Sequence, residues 1–405
     1  MMTPKIILIG ALGVCFIIVV VISCGTAGGL NGKSQISSPE VYPLKSPAAG
    51  NYPQSLYKYP FRAKLLTRES FTQTLEWNPQ VSKTFGKDTQ YTATLILEPA
   101  DKRHTFSGIL LDDVKGLPTD RVENISAETT GDSLVIKIMF AKTADENAEP
   151  EIIFFDEFEG TTLDKTKWEF CPEWDRQGRS SWRDDMVSIS DGMLHLKMIR
   201  DTKLGAGKSS QKALADNWIR AGAIRSRTKQ INGPVIFDNS YGYYEAKIKF
   251  PKASGTWGAF WLMSPTQDII TNDGVIGTEI DIIESIHNQN GTYNAALHWN
   301  GYGSNHQSTG QDNSSLPGLD IYDGEFHIFA LDWSPSEYVF YVDGQILWRV
   351  NGGPQFQNCG INQNPNYIKL SVEGAEWAGT LPPGFTEGEM LVDYVRVYNQ
   401  PKVSP

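Results

Sequence analysis

Cysteine is scarce in this chain, which has four in 405 residues. Cys15 and Cys24 fall in an N-terminal apolar segment, so only Cys171 and Cys359 remain. Two cysteines are too few for a disulfide framework. They either pair in an oxidising compartment or stay as separate buried thiols, and the sequence leaves both alternatives open.

Positive charge is also in deficit, with 36 Lys and Arg against 47 Asp and Glu and a formal net charge of −11. This balance argues against nucleic acid and anionic membrane surfaces as partners. We find no glycine-rich phosphate loop, no Cys/His cluster and no Ser-His-Asp spacing. The sequence therefore gives no sign of a cofactor needed for catalysis.

One long apolar run is present, over residues 6–23. It fits a secretory signal, although a run of about 18 residues also approaches the length of a membrane anchor. It ends in Val21-Ile22-Ser23-Cys24, which resembles a bacterial lipobox. We therefore predict a signal segment over 1–24, and export to the cell surface or periplasm with a lipid anchor at Cys24. The Gly-, Ser- and Pro-rich residues 25–50 are interpreted as a flexible tether.

Short alternating runs characterise residues 51–143, as in Tyr91–Leu97 and Leu134–Phe140. This pattern predicts a small β-sandwich that resembles an immunoglobulin-like module. We expect it to serve as a spacer, with glycan binding as the alternative. An acidic segment, Thr143 to Glu151, is the predicted linker to the next domain.

Residues 152–400 combine strand-like runs with glycine-rich turns, and Asp343-Gly344 is a hairpin signal. No sustained helical period occurs there, so we predict one large antiparallel sandwich or barrel. The predicted fold class is all-β.

The acidic run Gly277–Ser285 is unusual because three carboxylates interrupt an otherwise buried strand pattern. Glu279 and Asp281 share one face of a strand, whereas Glu284 would point to the other face. A β-bulge at Ile282 or Ile283 would return all three to a common face. The alternative is an ordinary strand with a solvated charged side.

Residues 152–400 resemble glycoside hydrolase family 16, in its laminarinase- and lichenase-like branch. The blocks that carry this resemblance follow the family's order along the chain and are Phe155-Asp156-Glu157-Phe158, Tyr241–Ala246, Trp257–Met263, Glu279–Glu284, Ala296–Trp299, Asp323–His327 and Val392–Tyr398. The resemblance implies a concanavalin-like jelly-roll sandwich whose concave face carries a glycan cleft.

The resemblance also implies retaining hydrolysis, with Glu279 as nucleophile, Glu284 as acid/base and Asp281 hydrogen-bonded to the nucleophile. Retention requires carboxyl groups about 5–5.5 Å apart. Four effective strand residues at ~3.3 Å each separate the two α-carbons by about 13 Å. We therefore expect the two glutamates to lean toward each other on a concave strand.

Six further residues are predicted to bind substrate. Tryptophan faces suit the apolar faces of pyranose rings, although a tryptophan taken by itself is more often a core residue, and the family resemblance favours Trp257 and Trp261 for the cleft. His298 is expected either to reach a catalytic carboxylate or to be a core histidine. The resemblance implies that Arg225 contacts sugar hydroxyls or the nucleophile side of the site, and a surface salt bridge is the alternative. The full set is Trp182, Arg225, Trp257, Trp261, His298 and Trp299.

The family resemblance implies a structural calcium site formed by Glu157, the carbonyl of Gly192, and Asp393, because oxygen ligands suit a hard cation. The alternative is that the two carboxylates form salt bridges. We expect the protein to be a monomer.

The predicted substrate is a β-1,3- or mixed β-1,3-1,4-glucan. Three departures from the laminarinase pattern leave galactan or xyloglucan as alternatives, and they lie at Gly274–Thr278, at Met186 and at Ser371–Trp377. A noncatalytic glycan-binding sandwich is the alternative outside the enzyme class.

Overall fold

The computed structural model describes residues 32–62, 70–176, 179–230, 233–271, 273–286, 291–375 and 377–402. The predicted signal segment, including Cys24, and the first residues of the predicted tether lie outside these ranges. Among the described residues, no helix has the length and apolarity needed to span a membrane.

The N-terminal module is built on strands, as predicted. Its strands are β1 (Ser34–Gln35), β2 (Tyr59–Arg62), β3 (Ser70–Asn78), β4 (Thr92–Pro99), β5 (His104–Thr105), β6 (Val122–Thr130) and β7 (Ser133–Phe140). Five of them form one antiparallel sheet in the order β2-β3-β4-β7-β6. The alternation expected from the sequence is confirmed, because Ala93, Leu95 and Leu97 on β4 are buried on one face.

The structure differs from the sequence interpretation in two respects here. Residues 33–50 are not a free tether, because Ile36, Val41 and Leu44 are buried in the core of the module. The second sheet required for an immunoglobulin-like sandwich is not found among the described residues. Beside the five-stranded sheet, the described part of the N-terminal module contains a short parallel pair of strands, β1 with β5.

The second domain contains nineteen strands and two short helices among the described residues. The strands are β8 (Ile152–Asp156), β9 (Glu169–Phe170), β10 (Asp175–Arg176), β11 (Ser180–Trp182), β12 (Val187–Ser190), β13 (Met193–Arg200), β14 (Ile219–Ala221), β15 (Ala223–Arg225), β16 (Asp238–Asn239), β17 (Gly242–Lys249), β18 (Thr256–Met263), β19 (Thr278–Ile286), β20 (Asn294–Trp299), β21 (Gln307–Asp312), β22 (His327–Trp333), β23 (Tyr338–Val342), β24 (Gln345–Val350), β25 (Asn366–Gly374) and β26 (Glu387–Tyr398). The helices are α1 (Thr202–Lys208) and α2 (Lys212–Asp216).

These strands form two facing sheets, which confirms the predicted jelly-roll sandwich. One sheet has eleven strands, with β10-β11-β14-β13-β26-β17-β22-β23-β24 in order and β12 and β8 pairing onto it. The other has eight strands, with β21-β20-β19-β18-β25-β15-β9 in order and β16 beside β25. A single apolar core fills the space between them. The motif strand β19 lies near the middle of the eight-stranded sheet, where neighbours on both sides fix its position.

The predicted hairpin at Asp343-Gly344 is confirmed between β23 and β24. Both turn residues have positive φ, 49° at Asp343 and 75° at Gly344. Two consecutive positive φ values are typical of the tight turns whose twist matches that of a β-hairpin. The local sequence therefore determines this connection.

Candidate active site

The acidic run lies on β19, and its pairing with β20 contains the predicted bulge. Asp281 is opposite Ala296 and Glu284 is opposite Asn294, so three steps on β19 match two on β20. The extra residue lies at Ile282–Ile283, and Ile282 also has no partner on β18. Both isoleucines are buried in the core. The three carboxylates therefore share the face of the sheet that points away from the core.

All three carboxylates are buried, with relative exposures of 7% for Glu279, 4% for Asp281 and 8% for Glu284. An ordinary strand with a solvated charged side is thereby excluded. Burial disfavours the charged form of a carboxyl group and raises its pKa. What distinguishes the three groups is the set of neighbours that opposes or reinforces this effect.

Glu279 has cations and a hydroxyl donor nearby. Burial raises the pKa of Glu279, but a hydrogen bond from the Tyr302 hydroxyl and the charges of Lys369 and Arg176 oppose the increase. Tyr302 is itself 59% exposed, so its ring borders open solvent while its hydroxyl reaches the carboxylate. These neighbours favour an ionised Glu279.

Lys369 is a buried cation on the same face, 3% exposed. Its ammonium lies 3.5 Å from the ring centroid of Trp261 and 4.9 Å from that of Trp182. Burial lowers the pKa of Lys369 to about 8. Contact with aromatic faces partly compensates a cation for lost water.

A second cation beside this end of the site is fixed by an ion pair. Nε of Arg176 lies 3.1 Å from both carboxylate oxygens of Glu373, which is 1% exposed. The guanidinium also lies 4.6 Å from the ring centroid of Trp182. The ion pair therefore fixes the guanidinium of Arg176 beside Glu373 on β25 and against the ring of Trp182.

Glu284 has neutral donors instead of cations. Nε1 of Trp257 donates to Oε1 at 3.1 Å, and Nδ2 of Asn294 donates to Oε2 at 2.8 Å. Burial raises the pKa of Glu284 to about 7, and the charge of Glu279 adds to the increase. A carboxyl group with this pKa holds a proton near neutral pH and can release it during a reaction.

Asp281 lies between the two glutamates and near His298. Its Oδ2 lies 3.3 Å from Nε2 of His298, whose Nδ1 lies 3.0 Å from Nε2 of His306. Burial and the charges of Glu279 and Glu284 raise the pKa of Asp281 well above its ordinary value. Burial lowers the pKa of His298 to about 4. His298 therefore lies beside a carboxylate of the motif, and the pKa directions favour a protonated Asp281 beside a neutral imidazole.

Three of the four tryptophans predicted to stack on sugar are almost fully buried. Trp299 is fully buried and is opposite Thr278, so it points into the core, away from the cleft. Trp182 and Trp261 are 1% and 5% exposed, and their rings pack against Lys369. A ring covered in this way has no free face for a sugar. Trp257 alone stays half-exposed, beside Glu284.

Arg225 is not the surface residue that its salt-bridge alternative requires. It is 2% exposed, and its guanidinium donates to the backbone carbonyls of Thr228 and Gln230. These bonds anchor the turn at 228–230. Arg225 is opposite Lys369 in the pairing of β15 with β25, so its side chain lies on the same face as that lysine, and its contact with the nucleophile side of the site or with sugar stays a prediction.

Several residues of the site were not singled out from the sequence. Lys369 and Glu373 are charged residues in the apolar strand β25, which is the same signal that drew attention to Glu279. Trp377, 46% exposed, packs edge-on against Trp257 with ring centroids 4.8 Å apart. Tyr302 and Asn294 carry no comparable local signal, because a loop and a strand pairing bring them to the carboxylates.

The residues predicted to bind calcium do not form an open site. Both oxygens of Glu157 accept from Arg396 at 2.8 Å, and Asp393 is 2.6 Å from Nζ of Lys247. Each carboxylate is already neutralised by a cation, which is the salt-bridge alternative and does not fit a calcium ligand set. Elsewhere, among the described residues, ligand atoms of Glu279, Asp281 and His298 lie within 4.8 Å of one another, but these groups belong to the acidic run on β19. Calcium at the predicted site would require both ion pairs to break, and its binding stays a prediction.

The two cysteines of this domain are separate in the structure. Cys171 and Cys359 are both buried free thiols, so the second of the two sequence alternatives is found. Burial raises the pKa of each thiol. Neither is therefore prepared to act as a nucleophile.

The family described as "Beta-porphyranase A-D, GH16 domain" matches residues 153–400. The chain belongs to this family. The sequence-based assignment to glycoside hydrolase family 16 is therefore confirmed.

Curated relatives of this GH16 domain are modestly similar. They include glucan endo-1,3-β-glucosidase A1 of Niallia circulans, 25% identical over 272 residues, covering 62% of this chain and 38% of the relative. Keratan-sulfate endo-1,4-β-galactosidase of Sphingobacterium multivorum is 28% identical over 268 residues, covering 63% and 56%. The chain thus spans about two fifths and just over half of these two relatives. Beta-porphyranase E of Zobellia galactanivorans is 25% identical over 263 residues, covering 60% and 85%.

Solved structures of similar fold include the laminarinase catalytic domain from Thermotoga maritima. It has a TM-score of 0.49 at 22% identity and covers 63% of this chain and 100% of that one.

Proposed function

We propose that this protein is a retaining endo-β-glycanase that acts on a polysaccharide. The observation that carries the proposal is the contrast between Glu279, near cations, and Glu284, whose pKa is raised to about 7, on one face of a bulged strand. Retaining hydrolysis needs one ionised and one protonated carboxyl group on opposite sides of the glycosidic bond.

In the proposed mechanism Glu279 attacks the anomeric carbon, and Glu284 transfers its proton to the departing glycosidic oxygen. The C–O bond breaks, a glycosyl–Glu279 ester forms and Glu284 becomes a carboxylate. Glu284 then removes a proton from water, whose oxygen attacks the same carbon and releases Glu279. A protonated Asp281 would donate a hydrogen bond to Glu279 and so stabilise the charged form of Glu279.

We propose a β-linked galactan of the porphyran class as the substrate. The family's own description, and the names of two relatives that cleave galactose-containing glycans, support this choice. The chain's departures from the laminarinase pattern support it as well. Glu373, in the stretch that differs from laminarinases, forms the ion pair with Arg176 beside the cleft. Because the side chains in this stretch differ from those of laminarinases, they favour a sugar other than the glucose of laminarin.

A β-1,3- or mixed-linkage glucan is the second candidate. It is favoured by relatives named as a glucan endo-1,3-β-glucosidase and an endo-1,3-1,4-β-glycanase, which are 25% and 28% identical over their matched regions. The catalytic carboxylates would act identically on either substrate, so the choice depends on the walls of the cleft.

A substrate panel tests both proposals. The purified protein is incubated with porphyran, agarose, keratan sulfate, laminarin and barley glucan, with the Glu279→Ala variant as the blank. We expect a rapid fall in polymer length on porphyran and a product whose anomeric configuration is initially β by NMR. Cleavage of laminarin alone would favour the second candidate, and an initially α product would contradict retention. Binding without cleavage of any polymer would favour a noncatalytic glycan-binding protein.

We further propose that the chain is exported and lipid-anchored at Cys24, and that it acts as a monomer. The apolar run over residues 6–23 and the lipobox-like residues 21–24 support export. In a bacterial host, Cys24→Ser should abolish incorporation of labelled fatty acid and release the protein from membranes. Equal labelling of both forms would contradict the anchor. Light scattering of the soluble form measures the oligomeric state.

A further inference from the structure

The N-terminal module contacts the GH16 domain through a series of specific hydrogen bonds. The hydroxyls of Tyr42 and Tyr59 donate to the two oxygens of Asp238, at 3.0 and 3.2 Å. Asp238 lies on β16, which pairs with the start of β25. Burial raises the pKa of Asp238, and the two phenols oppose this increase. A carboxylate of one domain therefore has its hydrogen bonds supplied by the other.

A second contact lies at Asn364, which is fully buried. Its Oδ1 accepts from the backbone N–H of Tyr57 at 2.7 Å, and its Nδ2 donates back to the carbonyl of Tyr57 at 2.9 Å. The same Nδ2 donates to the carbonyl of Ile276 at 2.6 Å. One amide thus joins the module to the segment that precedes β19.

Two neighbouring asparagines continue this network to the catalytic strand. Nδ2 of Asn366 donates to the carbonyl of Thr278 at 2.9 Å, and Asn362 donates to Oδ1 of Asn366 at 2.8 Å. Thr278 immediately precedes Glu279. The three asparagines are all fully buried, so water cannot reach the groups that they contact. Their amides therefore supply hydrogen bonds that water would otherwise make.

The segment before β19 has little freedom of its own. A side chain at Gly277 would approach the carbonyl carbon and oxygen of Thr266 to 2.5 Å, so the backbone is closely packed there. The connection between the domains is also fixed, since Ala148 N–H donates to Ala49 at 2.8 Å and Gln400 donates to Ala148 at 2.6 Å. A spacer would need none of these contacts.

We propose that the N-terminal module is a fixed part of the catalytic unit, and that Asn364 is a positioning residue through which Tyr57 holds residues 276–278 at the start of the nucleophile strand. Loss of this amide leaves both the N–H and the carbonyl of Tyr57 without this partner, and the carbonyl of Ile276 keeps only its bond from the Thr266 hydroxyl. The backbone around Thr278 then shifts, and Glu279 shifts with it.

Cleavage of the connection tests the first half of the proposal. A protease recognition sequence is inserted after Glu146, within the exposed residues 144–147, and the purified full chain is cleaved. We expect the two pieces to co-elute in size-exclusion chromatography. Separation of the pieces under native conditions, with the GH16 piece keeping the same hydrogen exchange in β19, would overturn the proposal.

The Asn364→Ala variant tests the second half. We expect faster amide hydrogen exchange in residues 278–286 and a kcat lower by roughly 10- to 100-fold with little change in KM, because misplacement of a reacting group reduces the rate rather than binding. Asn364→Asp retains the acceptor for Tyr57 but turns an oxygen toward the carbonyls of Tyr57 and Ile276, so we expect it to lose kcat as Asn364→Ala does. The matched control is Asn124→Ala, at an exposed position of β6. Unchanged exchange and kcat in Asn364→Ala would refute the positioning role.

A milder variant covers the case in which Asn364→Ala does not fold. Tyr42→Phe with Tyr59→Phe removes only the two hydroxyls on Asp238, and we expect the cleaved pieces of this variant to separate more readily. The kinetic readout rests on the proposed hydrolase activity, whereas co-elution and hydrogen exchange do not. If the wild type cleaves no glycan, the exchange in residues 278–286 still decides the inference.

Discussion

The two ends of the acidic motif differ in their surroundings although they lie on one strand and are equally buried. Glu279 accepts a hydrogen bond from Tyr302 and lies near Lys369 and Arg176. Glu284 accepts from the neutral groups of Trp257 and Asn294 and feels the charge of Glu279. Burial raises the pKa of both glutamates, but the cations near Glu279 oppose the increase, whereas the charge of Glu279 adds to it at Glu284. Neighbours, and not burial alone, separate the two roles.

This contrast comes from the neighbouring strands. Lys369 is contributed by β25, which lies two strands from β19, and Asn294 by β20 on the opposite side. Because the bulge places the carboxylates on one face, each meets a different set of neighbours. A regular strand would have turned Glu284 toward the core, where its charge would have had no partner.

Removal of the nucleophile should have the largest effect. Glu279→Ala is expected to lower kcat by a factor on the order of 10⁴ or more, because the covalent intermediate cannot form. Reducing-end release from the preferred polysaccharide measures it, with thermal unfolding as the check on folding. Added azide should restore turnover in this variant and give an α-glycosyl azide. A β-azide would show that Glu279 is not the nucleophile.

Removal of the acid should have a smaller effect that depends on the leaving group. Glu284→Ala is expected to lower kcat on the polysaccharide by about 10²- to 10⁴-fold, the usual contribution of a general acid. An aryl glycoside with a good leaving group needs no proton, so its first step should be little affected. Azide should here give a β-glycosyl azide. If both variants give the same azide anomer, the two ends of the motif do not differ as proposed.

Substitution of Tyr302 tests how the hydrogen bond to Glu279 affects the ionisation of that carboxyl group. Its hydroxyl lowers the pKa of Glu279, so Tyr302→Phe raises that pKa and moves the acid limb of the kcat/KM profile to higher pH. A hydrogen bond to a charged group contributes about 1.5–3 kcal/mol. We expect a loss of roughly 10-fold in kcat/KM below neutral pH, and a smaller loss above it. Tyr341→Phe, on the opposite sheet, is the control. An unmoved acid limb would separate Tyr302 from the ionisation of Glu279.

The sequence was sufficient for the fold class and for the bulge in the acidic strand β19. Its period-2 alternation and the odd spacing of Glu279 and Glu284 predicted a bulge at Ile282 or Ile283, which the pairing with β20 confirms. Local chemistry was enough because a bulge and a tight turn are decided by a few adjacent residues. The hairpin at Asp343-Gly344 was predictable for the same reason.

The walls of the site were less predictable. Trp299 adjoins His298 in sequence but points to the opposite face, and Trp182 and Trp261 are covered by a lysine that is remote in the chain. Whether an indole faces a cleft or a core depends on its partner strands, which sequence spacing alone does not specify. Residues 33–50 were misread in the same way, because their Gly- and Pro-rich composition conceals the apolar residues that pack onto the module.

The two neutral donors to Glu284, Trp257 and Asn294, are the subject of the prediction with the smallest expected effect. Both hydrogen bonds to Glu284 lower its pKa, so their loss raises that pKa above about 7. The group then holds its proton to higher pH, and the alkaline limb of kcat/KM should move upward. We expect a larger shift for Asn294→Leu than for Trp257→Phe, because Asn294 opposes burial more strongly. The acid limb, which reports Glu279, should stay almost fixed in both variants. Equal movement of the two limbs would mean that the carboxylates titrate as one coupled pair, and their separate environments would then not assign separate roles.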